Sequence, residues 1–209
     1  VAILSGDLLG DDVGLTNNTE NVYHVVKGNS NATIDGFTIT GGNANGAGDD
    51  IYGSGFFNRN VSPTIRNCTF KRNYGVDAGA MYNEQSSPLI QACVFQNNES
   101  ANYAGAIHNY LWSSPTIENS IFFRNKASIY AGAIYNRNRS SPTIKDCVFL
   151  ENSLSGGGGA IYSETLASPL IQSCVFTRNS AASGGAIYDE NTTTSMIENC
   201  TFCGNVASI

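Results

Sequence analysis

Apolar positions in this chain come in short runs that recur at a nearly constant interval. From residue 62 the units read SPTIRNCTFKRNYGVDAGAMYNEQS (62–86), SPLIQACVFQNNESANYAGAIHNYLWS (87–113) and SPTIENSIFFRNKASIYAGAIYNRNRS (114–140). SPTIKDCVFLENSLSGGGGAIYSETLA (141–167) and SPLIQSCVFTRNSAASGGAIYDENTT (168–193) follow, and a partial unit, TSMIENCTFCGNVASI, fills 194–209. Upstream, ATIDGFTITGG (32–42) with GSGFFNRN (53–60) is the same unit around a longer loop, and a more divergent coil occupies 1–28. Each unit holds three apolar runs: Ile65, then Cys68 and Phe70, then Gly79 to Met81. Bounded by Asn, Gly, Ser and Pro, they are too short for helices and read as strands. No segment carries the 3.6-residue period of a helical repeat, and no Leu scaffold of a leucine-rich repeat is present. The pattern predicts an all-β fold, a right-handed parallel β-helix or β-solenoid, of about seven and a half coils of 25–31 residues with three short strands per coil. One domain spans 1–209, with irregular N-terminal coils over 1–61, regular repeats over 62–193 and a partial terminal coil over 194–209.

Stacking such coils about 4.8 Å apart turns each repeated residue into a column. Phe70, Phe95, Phe122, Phe149, Phe176 and Phe202 are expected to form an internal aromatic stack, and Ile65, Ile90, Ile117, Ile144, Ile171 and Ile197 an aliphatic one. Asn73, Asn98, Asn125, Asn152, Asn179 and Asn205 predict a polar ladder at a turn, where Asn tolerates left-handed backbone and its amide reaches the coils above and below. The Gly-Ala pair before each Ile or Met marks a tight turn or a close backbone approach.

Composition narrows the partners. Only 13% of the residues are charged and 41% are apolar, so the chain is ordered and satisfies its polar groups by hydrogen bonds rather than ion pairs. A net charge of −6, with eleven basic residues scattered along the chain, argues against nucleic acid. No apolar stretch is long enough to predict a transmembrane segment. Val1 opens directly in strand-like sequence with no leader ahead of it, which predicts a mature or trimmed secreted chain. Cys68, Cys93, Cys147, Cys174 and Cys200 share a column in which Ser120 takes one place. Neighbours about 4.8 Å apart in register exceed the usual Cβ separation of a disulfide, so buried free thiols are expected, with Cys203 off the column and exposed.

Candidate chemistry is sparse. The residue after each Gly-Ala-Ile/Met forms a column of Phe57, Tyr82, His108, Tyr135, Tyr162 and Tyr188, which alternation points outward as an exposed aromatic stripe suited to a sugar chain or a protein surface. Arg124, Glu151 and Arg178, and Glu118 beside Lys145, predict neutralised charge columns on a solvated face. Glycoside hydrolysis needs two carboxylates flanking the bond. Asp11 with Asp12, Asp49 with Asp50, and Asp77 all fall in irregular loops, and neither His24 nor His108 has an obvious carboxylate partner in the sequence. The chain is therefore expected to be no enzyme and to carry no cofactor. The one cation the sequence admits is calcium at Asp7, Asp11 and Asp12, although SGDLLGDDVG (5–14) lacks the order of an EF-hand loop. Sequons such as those at Asn60 and Asn191 are common by chance in so Asn-rich a chain.

The tetrads AGAM (78–81), AGAI (104–107, 131–134) and GGAI (158–161, 184–187) alternate with F-x-x-N in the forms FKRN, FQNN, FFRN, FLEN, FTRN and FCGN. This pair resembles the passenger repeats of chlamydial polymorphic outer membrane proteins. More broadly it is similar to secreted right-handed β-helix repeat proteins whose opening coil reads like LSGD…HVV…DGFTITGG. The resemblance implies an extracellular or cell-surface location and an adhesive or scaffolding role, and carries no catalytic residue across. No capping helix is legible at either end, so the chain is expected either to be a fragment or to pair its open ends with other copies. Head-to-tail contact would build a filament advancing about 35–38 Å per subunit. Expected partners are other copies of the chain, or glycans and a neighbouring or host cell surface.

Overall fold

The computed structural model describes residues 1–190 and 192–208, so the sequon at Asn191 and the final Ile209 lie outside the described residues. Every interstrand ladder is parallel, and each complete coil contributes one strand to each of four sheets rather than three. One coil shows the order: Thr64–Arg66, Thr69–Lys71, Tyr74–Gly75 and Met81–Glu84. We call the resulting sheets the Ile, Phe, short and Tyr sheets after their columns; they hold seven, eight, seven and seven strands. The short sheet escapes the hydrophobic pattern because its strands have two residues each, such as Tyr74–Gly75, Glu99–Ser100 and Lys126–Ala127, too few for an alternation to register.

Like stacks on like as the repeat requires. Ile65 pairs with Ile34 and Ile90 in the Ile sheet, and Phe95 with Phe70 and Phe122 in the Phe sheet. Rings of the Phe column lie 4.7–4.9 Å apart and within 3–6° of parallel. Phe70, Phe95, Phe122, Phe149 and Phe176 make one continuous core with Ile65 to Ile171 of the Ile column and with Met81, Ile107, Ile134 and Ile161. Coil by coil, Cys68, Cys93, Cys147 and Cys174 are free and buried, and Cys203 is free and exposed. Each buried thiol donates to an Ile carbonyl one coil up, as from Cys93 Sγ to Ile65 O at 3.6 Å. The neighbouring Cys68 thiol, together with burial, pushes the Cys93 thiol up, and Cys174 and burial do the same for Cys147.

The Asn ladder forms, by a different backbone logic. Asn125 Nδ2 donates to Phe95 O at 2.8 Å and to Asn152 Oδ1 at 3.0 Å, and Asn98, Asn152 and Asn179 repeat this. Left-handed backbone sits one residue earlier, at Arg72, Asn97, Arg124, Glu151 and Arg178, each with φ of 51–54°. There the corner turns outward into solvent, while the Asn itself turns inward to serve the coils on either side. A second ladder, Asn58–Asn83–Asn109–Asn136, runs inside the Tyr sheet through Nδ2 to Oδ1 bonds of 2.9–3.0 Å and passes to Ser163. Because every amide donates toward the next coil, Oδ1 of its first member, Asn58, has no donor.

At Gly132 a Cβ would meet the Gly159 carbonyl and lie 2.7 Å from Ser153 N. Its φ is ordinary, so the Gly-Ala pair marks a close approach of successive coils rather than a left-handed turn. On the surface Glu151 bridges Arg124 at 2.7 Å and Arg178 at 3.4 Å. Glu118 and Lys145 lie opposite in register but do not pair: Glu118 accepts from Gln91 Nε2 at 2.8 Å, and Lys145 Nζ lies 3.9 Å from Asp146. No described helix is long and apolar enough to cross a membrane.

Candidate functional site

The Tyr sheet decides what the molecule can present. Along Met81–Glu84, Met81 and Asn83 point into the solenoid and Tyr82 and Glu84 point out of it. The same alternation places Phe57, Tyr82, His108, Tyr135, Tyr162 and Tyr188 outside the main core, as expected. They are not an exposed stripe. Tyr82, His108 and Tyr135 are almost wholly covered, Phe57 and Tyr162 are buried, and Tyr188 is half-buried. Alternation fixes which face a side chain takes and says nothing about what lies over that face. Here the segments leading into each Gly-Ala fold back and lay Tyr52, Tyr103 and Tyr130 on the column; Tyr52 stacks on Tyr82 at 4.4 Å and Tyr130 on Tyr135 at 4.9 Å. The six columnar rings stand 4.6–5.9 Å apart at interplanar angles of 11–78°.

Polar groups are sealed in with them. Tyr135 donates to Glu164 Oε1 at 2.5 Å, and Arg137 Nε stands 2.8 Å from the same oxygen. Burial pushes the Glu164 carboxyl above its ordinary 4.5 and the Tyr135 phenol above 10.0. Both histidines find carboxylates that sequence spacing did not reveal, because loop residues distant in the chain supply them. Buried His108 Nδ1 lies 3.2 Å from Asp77 Oδ1, and His24 Nε2 lies 3.7 Å from Asp50 Oδ1. Burial draws the His24 pKa below 6.5. Asp49 is neutralised by Arg59 at 2.6 Å.

Just beyond the sealed column the surface opens. The coil ending at Ser86 turns its corner with one left-handed residue, Gln85, whereas the next three coils use pairs: Leu111–Trp112, Asn138–Arg139 and Thr165–Leu166, with φ of 51–66°. Coil-to-coil bonds hold the pairs in line, Trp112 N donating to Asn138 O at 3.1 Å and Arg139 N to Thr165 O at 3.0 Å. These six residues line an open trough of about 240 Å³. Trp112 is 57% exposed and Leu166 47%, and the Arg139 guanidinium lies 4.8 Å from the centre of the indole. Two signals in the sequence point to this ridge: units of 27 residues where the first has 25, and the sole tryptophan of the chain placed in a corner.

At the N-terminal end the carboxylates of Asp7, Asp12 and Glu20 come within 4.8 Å of one another. Asp11, expected in that group, is outside it, and Glu20, further along the loop, takes its place.

Seven-fold stacking of parallel sheets with internal Phe, Ile and Asn columns defines the chain as a right-handed parallel β-solenoid. A family profile described as "Right handed beta helix region" matches residues 16–209, and the chain belongs to that family. No curated protein and no solved structure matches it. The family establishes the fold; function has to be argued from the surface that the fold carries.

Proposed function

We propose that the chain is a non-catalytic scaffold of the cell exterior whose left-handed ridge binds an extended carbohydrate chain. The observation that carries this reading is Trp112, exposed on an ordered corner with a guanidinium stacked on it. Left-handed backbone costs a non-Gly residue about 1–2 kcal/mol; the other corners use single left-handed residues, and only at this corner do three successive coils place two side by side. Strain of this kind, kept at solvent-facing corners where glycine would relieve it, favours a presented surface over a merely structural turn. A sugar ring offers a C–H face to an indole or a Leu, and hydroxyls to the amide of Asn138, the guanidinium of Arg139 and the hydroxyl of Thr165. The coil spacing of about 4.8 Å is close to the advance of one sugar ring along an extended chain, so neighbouring corners can meet neighbouring rings.

The non-catalytic part of the reading rests on access. Both acid–base arrangements near the ridge, Glu164 with Tyr135 and His108 with Asp77, are buried beneath loops, out of reach of a polymeric substrate. The exterior location rests on the low charge, the Asn-, Ser- and Thr-rich composition and the motif resemblance.

Because Trp112 is the only tryptophan, its emission reports on this site alone. Titration with a panel of neutral and acidic oligosaccharides is expected to give a saturable change in intensity and wavelength. An unchanged spectrum across the panel overturns the carbohydrate reading. A second reading is end-to-end association, in which another copy would pair with the last described coil and cover Ile197 and Phe202, exposed there although their column-mates are fully buried. Sedimentation of the unliganded samples tests it: growth of mass with concentration supports association, and a constant monomer mass discards it.

A further inference from the structure

We propose that Asp7, Asp12, Glu20 and Asn21 form a calcium site that pins the N-terminal loop to the first coil. Three carboxylates here present oxygens that all lie within 4.8 Å of one another. That is the spread expected of oxygens sharing one Ca²⁺, whose ligand distances are about 2.3–2.6 Å. Acidic clusters are common, and this one alone would carry nothing. The independent observation is a set of orphaned acceptors. Asn21 is only 7% exposed, its Nδ2 holds it against the cluster by donating to Asp12 Oδ2 at 2.8 Å, and no donor reaches its buried Oδ1. Asp12 Oδ1 and Glu20 Oε1 are likewise sealed from solvent without a donor.

Buried acceptors lacking donors are rare in folded proteins, where such atoms are almost always satisfied, and here three neighbouring residues of one loop carry them. Protein donors reach Asp7 and Asp12 Oδ2 but none of these three oxygens, and a cation would supply what they lack. Protein cations do not arrive either. Lys71 and Arg72 line the hollow of about 190 Å³ onto which Asp7 and Asp12 open. Neither forms an ion pair with any of the three carboxylates, although ten ion pairs form elsewhere among the described residues. Asp7 is already committed in part, accepting from Gly10 N at 2.6 Å and Asp12 N at 3.3 Å, which orders the turn that brings Asp12 round.

All the donors are oxygen, which selects a hard cation, and the set comes from an irregular loop, which suits the flexible, high-coordination shell of calcium better than the small strict octahedron of magnesium. The consequence is mechanical. Val22 N donates to Gly6 O at 3.0 Å and closes the base of the loop, and residues 7–21 themselves reach the solenoid through few bonds, such as Asn43 Nδ2 to Asn18 O at 2.6 Å. A bound cation ties both ends of the loop, Asp7 and Glu20, together across the first coil.

The test uses the full chain, stripped with a chelator and titrated with CaCl₂ alone, followed by calorimetry and thermal unfolding. One equivalent of Ca²⁺ is expected to bind with a dissociation constant of about 10⁻⁴–10⁻³ M or tighter and to raise Tm saturably, with MgCl₂ far less effective. Glu20→Gln keeps the shape and removes a charge. It should weaken Ca²⁺ at least about tenfold while leaving Tm in chelator equal to or above that of the parent chain. No heat and no Tm shift at millimolar Ca²⁺ overturns the site. So does a Glu20→Gln protein that binds as tightly as the parent, or one that is less stable in chelator, which would make the carboxylate a structural group.

Discussion

Two columns of rings run along this molecule, one inside the solenoid wall and one outside it, and they obey different rules. Inside the Phe sheet every ring is Phe, nearly coplanar in orientation with its neighbours. Outside the Tyr sheet the column reads Phe, Tyr, His, Tyr, Tyr, Tyr, with rings tilted by as much as 78°. Both are buried, so burial does not separate them. What separates them is closure. The interior is bounded on all sides by sheets that repeat by translation, and a ring that fits one coil fits the next only if it is the same ring in the same pose. The outer column is roofed by loops of unequal length, and each loop adapts to its own ring. Identity is therefore enforced inside, and outside only the aromatic character is.

The largest test of that difference lies in the inner polar ladder. Asn125→Ala strips the Asn98 N–H and Nδ2 of their shared acceptor and removes the amide donated to Phe95 O and Asn152 Oδ1. Buried groups left without partners cost about 1–3 kcal/mol each, so a loss of about 3–5 kcal/mol is expected in urea unfolding. A loss under about 1 kcal/mol would mean that the interior adapts as the exterior does.

The outer column is sharpened by pH. Burial holds the Glu164 carboxyl above its ordinary 4.5, so the folded state keeps this proton after the unfolded chain has released it. Its contribution is full below 4.5 and is lost as pH rises from there through the raised folded value. His24 works in the opposite sense: its depressed pKa makes stability fall as pH drops below 6.5. Glu164→Gln should flatten the decline on the rising side and leave the His24 limb untouched, as read from unfolding midpoints between pH 4 and 8. An unaltered profile would remove Glu164 from the account.

How much of this was legible follows the same divide. The Phe, Ile, Cys and Asn columns could be read directly, because translation maps sequence period onto space. The short sheet could not, since Lys126–Ala127 carries no alternation. The outward parity of Tyr82 and Tyr135 was legible, yet their burial was not, because Tyr52, Tyr103 and Tyr130 belong to loops whose fold-back has no periodic signature. The pairings His108–Asp77 and His24–Asp50 were invisible for the same reason, and so was the exchange of Asp11 for Glu20. The left-handed ridge lay between these cases: the lengthened units announced an insertion, and only the backbone revealed that it presents Trp112.

That ridge supplies the smallest and most telling effect. At φ 66°, Trp112 occupies a conformation that glycine adopts freely. Trp112→Gly gives up the contact with Arg139 and adds chain entropy to the unfolded state, but it relieves about 1–2 kcal/mol of left-handed strain. The balance should fall within about 1 kcal/mol of zero, with stabilisation the favoured sign. Retention on insoluble polysaccharide should nevertheless disappear. A corner kept for folding behaves in the opposite way, losing stability with the indole while leaving retention as it was. If Trp112→Gly unfolds at markedly lower urea, the exposed indole is part of the fold's own packing, and the contrast between a constrained interior and a free, presenting exterior fails where it matters most.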